Sequence, residues 1–113
     1  ATSASASSAS ASFTLAPPFI TVTWPNGGEG WPAGKKKAIN WSSNLGNLES
    51  VRIELSLDDG ATYPVVVLSS TPSDGTQAVV SSSGWITNTG RIRITWLGSS
   101  TVHDTSNNSF IIR

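Results

Sequence analysis

Cysteine and methionine are absent from this chain of 113 residues, and histidine and tyrosine occur once each. Without thiols there is no disulfide and no thiolate metal site. Charge of neither sign is in excess, with seven basic and seven acidic residues, so no global field recruits nucleic acid or an anionic membrane. No apolar run approaches the roughly eighteen residues of a membrane span, and membrane insertion is not expected. The first residues also lack the basic-then-apolar order of a signal peptide. The chain is therefore expected to be a mature or excised piece of something longer. Helical periodicity is missing throughout, which excludes an α-helical core.

What is present begins with residues 1 to 12, all Ala, Ser or Thr. Such a run has nothing to bury, and residues 1 to 16 are expected to be a flexible linker to an upstream domain, of the kind used in secreted multidomain proteins. Residues 17 to 113 are expected to form one module. Its organising stretch runs from Trp24 to Gly34, where Pro25-Asn26-Gly27-Gly28-Glu29 and Trp31-Pro32-Ala33-Gly34 concentrate turn formers between two strand-like segments. Gly28-x-Gly30-x-x-Ala33 formally matches a dinucleotide fingerprint, but Pro32 and the absence of a following helix remove the anion-binding helix N-terminus it needs.

Seven segments read as strands. Phe19–Thr23 follows a proline pair that suits a sheet edge. Lys37–Ser42 alternates with Ile39 and Trp41 on one face. Val51–Leu57 alternates most regularly, with four aliphatics inward and Arg52, Glu54 and Ser56 outward. After an Asp58-Asp59-Gly60 hairpin signal, Tyr63–Leu68 returns, and Gln77–Val80 follows the Pro72–Gly75 turn. Arg91–Trp96 places Ile92, Ile94 and Trp96 inward, with Arg91, Arg93 and Thr95 outward. Ser109–Ile112 closes the chain. Short strands between Gly, Pro, Asn and Asp turns predict an all-β antiparallel sandwich of about seven strands. Spacing alone leaves an immunoglobulin arrangement, a jelly roll and a small barrel open.

The corner motif, together with Ala38-Ile39-Asn40-Trp41-Ser42-Ser43, Val51-Arg52-Ile53-Glu54-Leu55-Ser56 and Asp104-x-Ser106-x-x-x-x-Phe110-x-Ile112, resembles secreted immunoglobulin-like modules related to the fungal Ser/Thr-rich GPI-anchored family. That resemblance covers roughly four-fifths of the chain through short motifs. It implies an immunoglobulin-like, non-catalytic, extracellular module fused to hydrolases or surface proteins, with fungal relatives tied to cell-wall β-glucan assembly. Trp24 and the segment Gln77 to Trp85 depart from the family pattern.

Catalysis is not expected from the residues either. His103 and Asp104 are sequence neighbours in what reads as a surface loop, which is not a triad. Glu54 sits among arginines and makes a poor partner for a glycosidase pair. Asp58 and Asp59 lack the spacing of a calcium loop, so no metal and no cofactor is expected. Lys35, Lys36 and Lys37 read as a charged edge that blocks aggregation. Asn40 and Asn107 head formal glycosylation sequons.

Five tryptophans are the excess that points to function. Aromatic faces suit sugar C–H surfaces. Parity assigns Trp41 and Trp96 to the core and the corner covers Trp31, which leaves Trp24, Trp85 and Tyr63 as candidate ligand-binding rings. A second candidate surface is the outward stripe Arg52, Glu54, Arg91 and Arg93, which would meet across strands if its two segments are sheet neighbours. The expectation is a monomeric, secreted accessory module that binds polysaccharide. The alternative is a structural spacer or a protein-adhesion module without a glycan ligand.

Overall fold

The computed structural model describes residues 17 to 46 and 48 to 113; the expected linker over residues 1 to 16 lies outside the described residues. Nine strands are formed among them: β1 Ile20–Trp24, β2 Gly30–Trp31, β3 Lys36–Ser43, β4 Ser50–Ser56, β5 Val65–Pro72, β6 Thr76–Val80, β7 Thr87–Trp96, β8 His103–Thr105 and β9 Phe110–Ile112. The smaller sheet has the order β1-β3-β6, and the larger has β2-β9-β7-β4-β5 with β8 also on β7. These are the A-B-E and G-F-C-C′ orders of an immunoglobulin-like sandwich, with β8 and β9 as two pieces of strand G. The expected sandwich is formed, and the strand order decides the topology that spacing left open.

Two strands beyond the expected seven are short. β2 is a two-residue parallel pairing with β9, Gly30 opposite Ile111 and Trp31 opposite Ile112. β8 carries His103 and Asp104, which sequence placed in a loop, into register with Thr95 and Ile94. The Tyr63–Leu68 segment also shifts: the strand begins at Val65, after Pro64, and runs to Pro72.

Alternation works where one face is buried. Ile39, Trp41, Val51, Ile53, Leu55, Ile92, Ile94, Phe110 and Ile112 are all buried between the sheets. Burying each such side chain stabilises the fold by about 1.5–3 kcal/mol. Alternation fails at the strand ends. Ser56, expected outward, is fully buried because it turns into the hairpin. There its hydroxyl donates to Asp58 Oδ1 at 2.7 Å and accepts from the Gly60 amide at 2.7 Å. Leu57 and Trp96, expected inward, are only half-buried against the core.

The Pro25–Glu29 corner is stitched to the segment between β8 and β9. The Glu29 carboxylate accepts from the Asn26 amide at 2.8 Å and the Gly27 amide at 2.6 Å, closing the turn on itself. Ser106 Oγ then donates to the Pro25 carbonyl at 2.7 Å, and the Asn108 amide donates to the Asn26 carbonyl at 2.9 Å. Gly27 is required by proximity as well as by its φ of 150°, since a Cβ there would stand 2.7 Å from Asn108 Cβ. Asp104 Oδ2 accepts from the Val22 amide at 2.8 Å, tying β8 to the opposite sheet. Two motifs some eighty residues apart in sequence therefore form one joint.

Candidate functional site

The register of three adjacent strands builds the outer face of the larger sheet. Arg52 lies opposite Thr95, which lies opposite His103; one row along, Glu54 lies opposite Arg93, which lies opposite Thr105. Directly opposed residues on antiparallel strands share a face, with Cβ atoms about 4.5–5.5 Å apart. The inward neighbours Ile53, Ile92 and Ile94 are fully buried, which fixes these polar side chains outward. Around them lies an open groove of about 420 Å³, with Trp96 at the end of the rows.

Charge in the groove is unevenly placed. Arg93 directs Nε at 3.2 Å and Nη2 at 3.0 Å to the same Glu54 oxygen, Oε1. The Glu54 side chain is 13% exposed and that of Arg93 34%, so the carboxylate is the more buried partner of the pair. Tyr63, from the loop between β4 and β5, places its ring centroid 4.0 Å from the Arg93 guanidinium carbon, an arrangement worth about 0.5–2 kcal/mol. Burial pushes the Tyr63 phenol above its ordinary pKa of 10.0, against the pull of the Arg93 and Arg91 charges. Arg52 is exposed and, among the described residues, forms no ion pair or side-chain hydrogen bond.

Trp96 is held rather than free. Its indole N–H donates to Glu49 Oε1 at 2.9 Å. Gly98 packs so closely on the ring that a Cβ there would stand 2.6 Å from Trp96 Cε2.

Arg91 does not contribute to the groove. Its Nε donates to Asp59 Oδ1 at 2.8 Å, and Nη1 reaches the carbonyls of Ser106 at 3.1 Å and Asn107 at 3.4 Å. These bonds tie the β4–β5 hairpin to the joint after β8, so Arg91 adds little of the surplus positive charge expected of the stripe. Asp58 likewise serves the hairpin. Hydrogen bonds from the Thr62 hydroxyl and amide, and from Ser56, lower its pKa from 3.8 to about 2.

Trp24 and Trp85 are half-buried, and both pack on the fully buried Trp31, with ring centroids 5.9 Å and 6.3 Å from it. Their planes are tilted by 56° and 79° to that of Trp31. Each ring therefore spends part of its surface on the core. Trp24 also borders a shallow open depression with Lys37, Ala38 and Asn40. Lys36 and Lys37 pair with Val80 and Val79, while β1 pairs with β3 only from Asn40 onward, so this part of β3 has one open edge.

Of the residues that the sequence brings forward, Arg52, Glu54 and Arg93 line the groove, and Tyr63, a candidate ring, stacks on Arg93 without lining it. Arg91 stands apart from that group, and Trp24 and Trp85 belong to the Trp31 cluster. Thr95, Trp96 and His103 were missed as groove residues. The outward parity of Thr95 was the available signal; nothing in the sequence placed His103 on a strand. His103 and Asp104 diverge, with His103 Nδ1 3.3 Å from the Ser100 carbonyl oxygen and Asp104 bonded to β1. No family model matches the chain, and neither a curated protein nor a solved structure matches it.

Proposed function

We propose that this chain is a non-catalytic accessory module of a secreted protein, and that it binds polysaccharide through the groove on the outer face of the larger sheet. The observation that carries this reading is the pair of rows Arg52–Thr95–His103 and Glu54–Arg93–Thr105, with the ring of Trp96 at their end. Guanidinium and hydroxyl groups supply directional bonds to sugar oxygens, and a fixed indole supplies an apolar surface for C–H faces. The groove is open to solvent and spans three strands, which suits a sugar segment of a longer polymer. The Ala/Ser/Thr-rich start of the chain suits a spacer between this module and an upstream partner domain.

A protein-adhesion role is favoured by one feature. β5 is an edge strand of eight residues without charge, and it exposes Val66 at 54%. Strand addition, however, needs a regular ladder. β5 carries one extra residue between its pairings at Thr71 and Leu68, and another between Leu68 and Val66. Bulges of this kind twist an edge away from further pairing. The groove is therefore the better-supported surface.

Affinity gel electrophoresis against cellulose derivatives, xylan, β-glucans, mannan and acidic gums tests the reading. Retardation that is lost in Arg52→Ala and kept in Trp24→Ala is expected. Migration unchanged across the panel would leave the spacer or adhesion role.

A further inference from the structure

From the charge geometry we infer that the groove reads acidic polysaccharide, with the carboxylate of a uronic acid bound by Arg52 while the sugar ring lies toward Trp96. This deepens the polysaccharide reading and rests on it. Glu54 is the one carboxylate among the groove-lining residues, and both Arg93 donors fall on its Oε1. Glu54 is the less exposed partner of the pair, 13% of its side chain against 34% for Arg93, so more of the guanidinium than of the carboxylate is open to a ligand. Arg52, two residues earlier on the same face of β4, adds a second guanidinium whose planar fork matches a carboxylate. His103 stands in the same row as Arg52, with Thr95 between them. A neutral glycan offers the exposed Arg52 guanidinium hydroxyl oxygens only, whereas a uronate offers it a carboxylate and still brings a C–H face.

The indole strengthens the assignment. Trp96 N–H is already donated to Glu49, so the part of this half-buried indole that lines the groove offers apolar ring atoms and no hydrogen-bond donor. A ligand must then bring its polar recognition to the arginine end and its apolar face to the indole end. Uronic acids divide their surface in that manner, whereas an acidic peptide carries its carboxylates on flexible stems with no rigid apolar face beside them.

Isothermal titration of the full chain with galacturonate, glucuronate and mannuronate oligomers, their methyl esters, neutral cello-oligosaccharides and poly-L-glutamate tests this. Binding to at least one uronate is expected, weakened about tenfold or more by methyl esterification and by Arg52→Ala, with Arg52→Lys retaining part of it. Arg52 is exposed, so unchanged near-ultraviolet circular dichroism is expected in both variants. Equal affinity for a uronate and its methyl ester, or for neutral oligosaccharides, would overturn the acidic assignment and leave polysaccharide binding standing. Equal affinity for poly-L-glutamate would overturn it as well, since charge alone would then suffice. No binding to any saccharide would overturn both.

Discussion

Arg93 stands 4.0 Å over the ring of Tyr63 and holds Glu54 Oε1 with two of its nitrogens. A cation so pinned has lost most of its rotamer freedom before any ligand arrives, which lowers the entropy cost of binding. Tyr63→Ala is expected to weaken polysaccharide binding severalfold, while Tyr63→Phe keeps the ring and most of the affinity. Titration of both variants checks this, and equal loss in both would assign the effect to the hydroxyl.

Gly98 gives Trp96 its position. Gly98→Ala places a methyl 2.6 Å from Cε2 and must displace the indole, because the ring is rigid. Reduced affinity is expected, with a change in tryptophan emission and a modest stability loss of about 1–3 kcal/mol. Changed emission with unchanged affinity would remove Trp96 from the binding surface.

Glu29 closes the corner by accepting two backbone amides, and charge-assisted bonds of this type contribute about 1.5–3 kcal/mol each. Glu29→Gln can accept through one oxygen only and is expected to lower stability by about 1–3 kcal/mol in urea unfolding, with little effect on saccharide affinity. A large loss of affinity without loss of stability would make Glu29 part of the site.

The three packed tryptophans should separate by burial. Trp31→Ala removes a fully buried ring and is expected to cost about 3–5 kcal/mol, enough to threaten folding. Trp24→Ala and Trp85→Ala remove half-buried rings and are expected to cost about 1–3 kcal/mol in thermal unfolding. Greater losses at Trp24 or Trp85 than at Trp31 would contradict the packing order.

Asp58 supplies an acid-limb test. Its pKa in the folded chain, about 2, lies below the ordinary 3.8, so its contribution to stability is complete above about pH 4. That contribution fades as pH falls through the folded value, toward pH 2. Thr62→Ala removes the largest cause of the shift and is expected to raise the Asp58 pKa, read directly by carboxyl NMR titration. An unchanged titration curve would deny the Thr62 hydroxyl that role.

Much of the sandwich was legible because period two is imposed wherever one face is buried. Val51, Ile53 and Leu55, and then Ile92 and Ile94, alternate with polar residues for that reason alone. The rule lapsed at Ser56, where the chain stops being a strand and the side chain serves the turn. β8 was invisible because three residues are too few to show a period, and its place depends on Thr95 across the sheet. Trp24 and Trp85 are candidate rings in the sequence because parity and the corner account for the other three tryptophans, yet both pack on Trp31. The arginine stripe was readable, but its split into a groove residue, Arg93, and a structural tie, Arg91, depended on partners at Glu54, Asp59, Ser106 and Asn107 that sequence distance conceals.

Chemical-shift mapping on isotope-labelled protein, with uronate and cello-oligosaccharides added in turn, tests the groove most directly. The expected result is movement of the Arg52, Thr95 and His103 amides and of the Trp96 indole resonance, with the Trp24 and Trp85 indoles unmoved. Shifts confined to Trp24 and Trp85, or spread along the β5 edge, would contradict the groove as the binding surface.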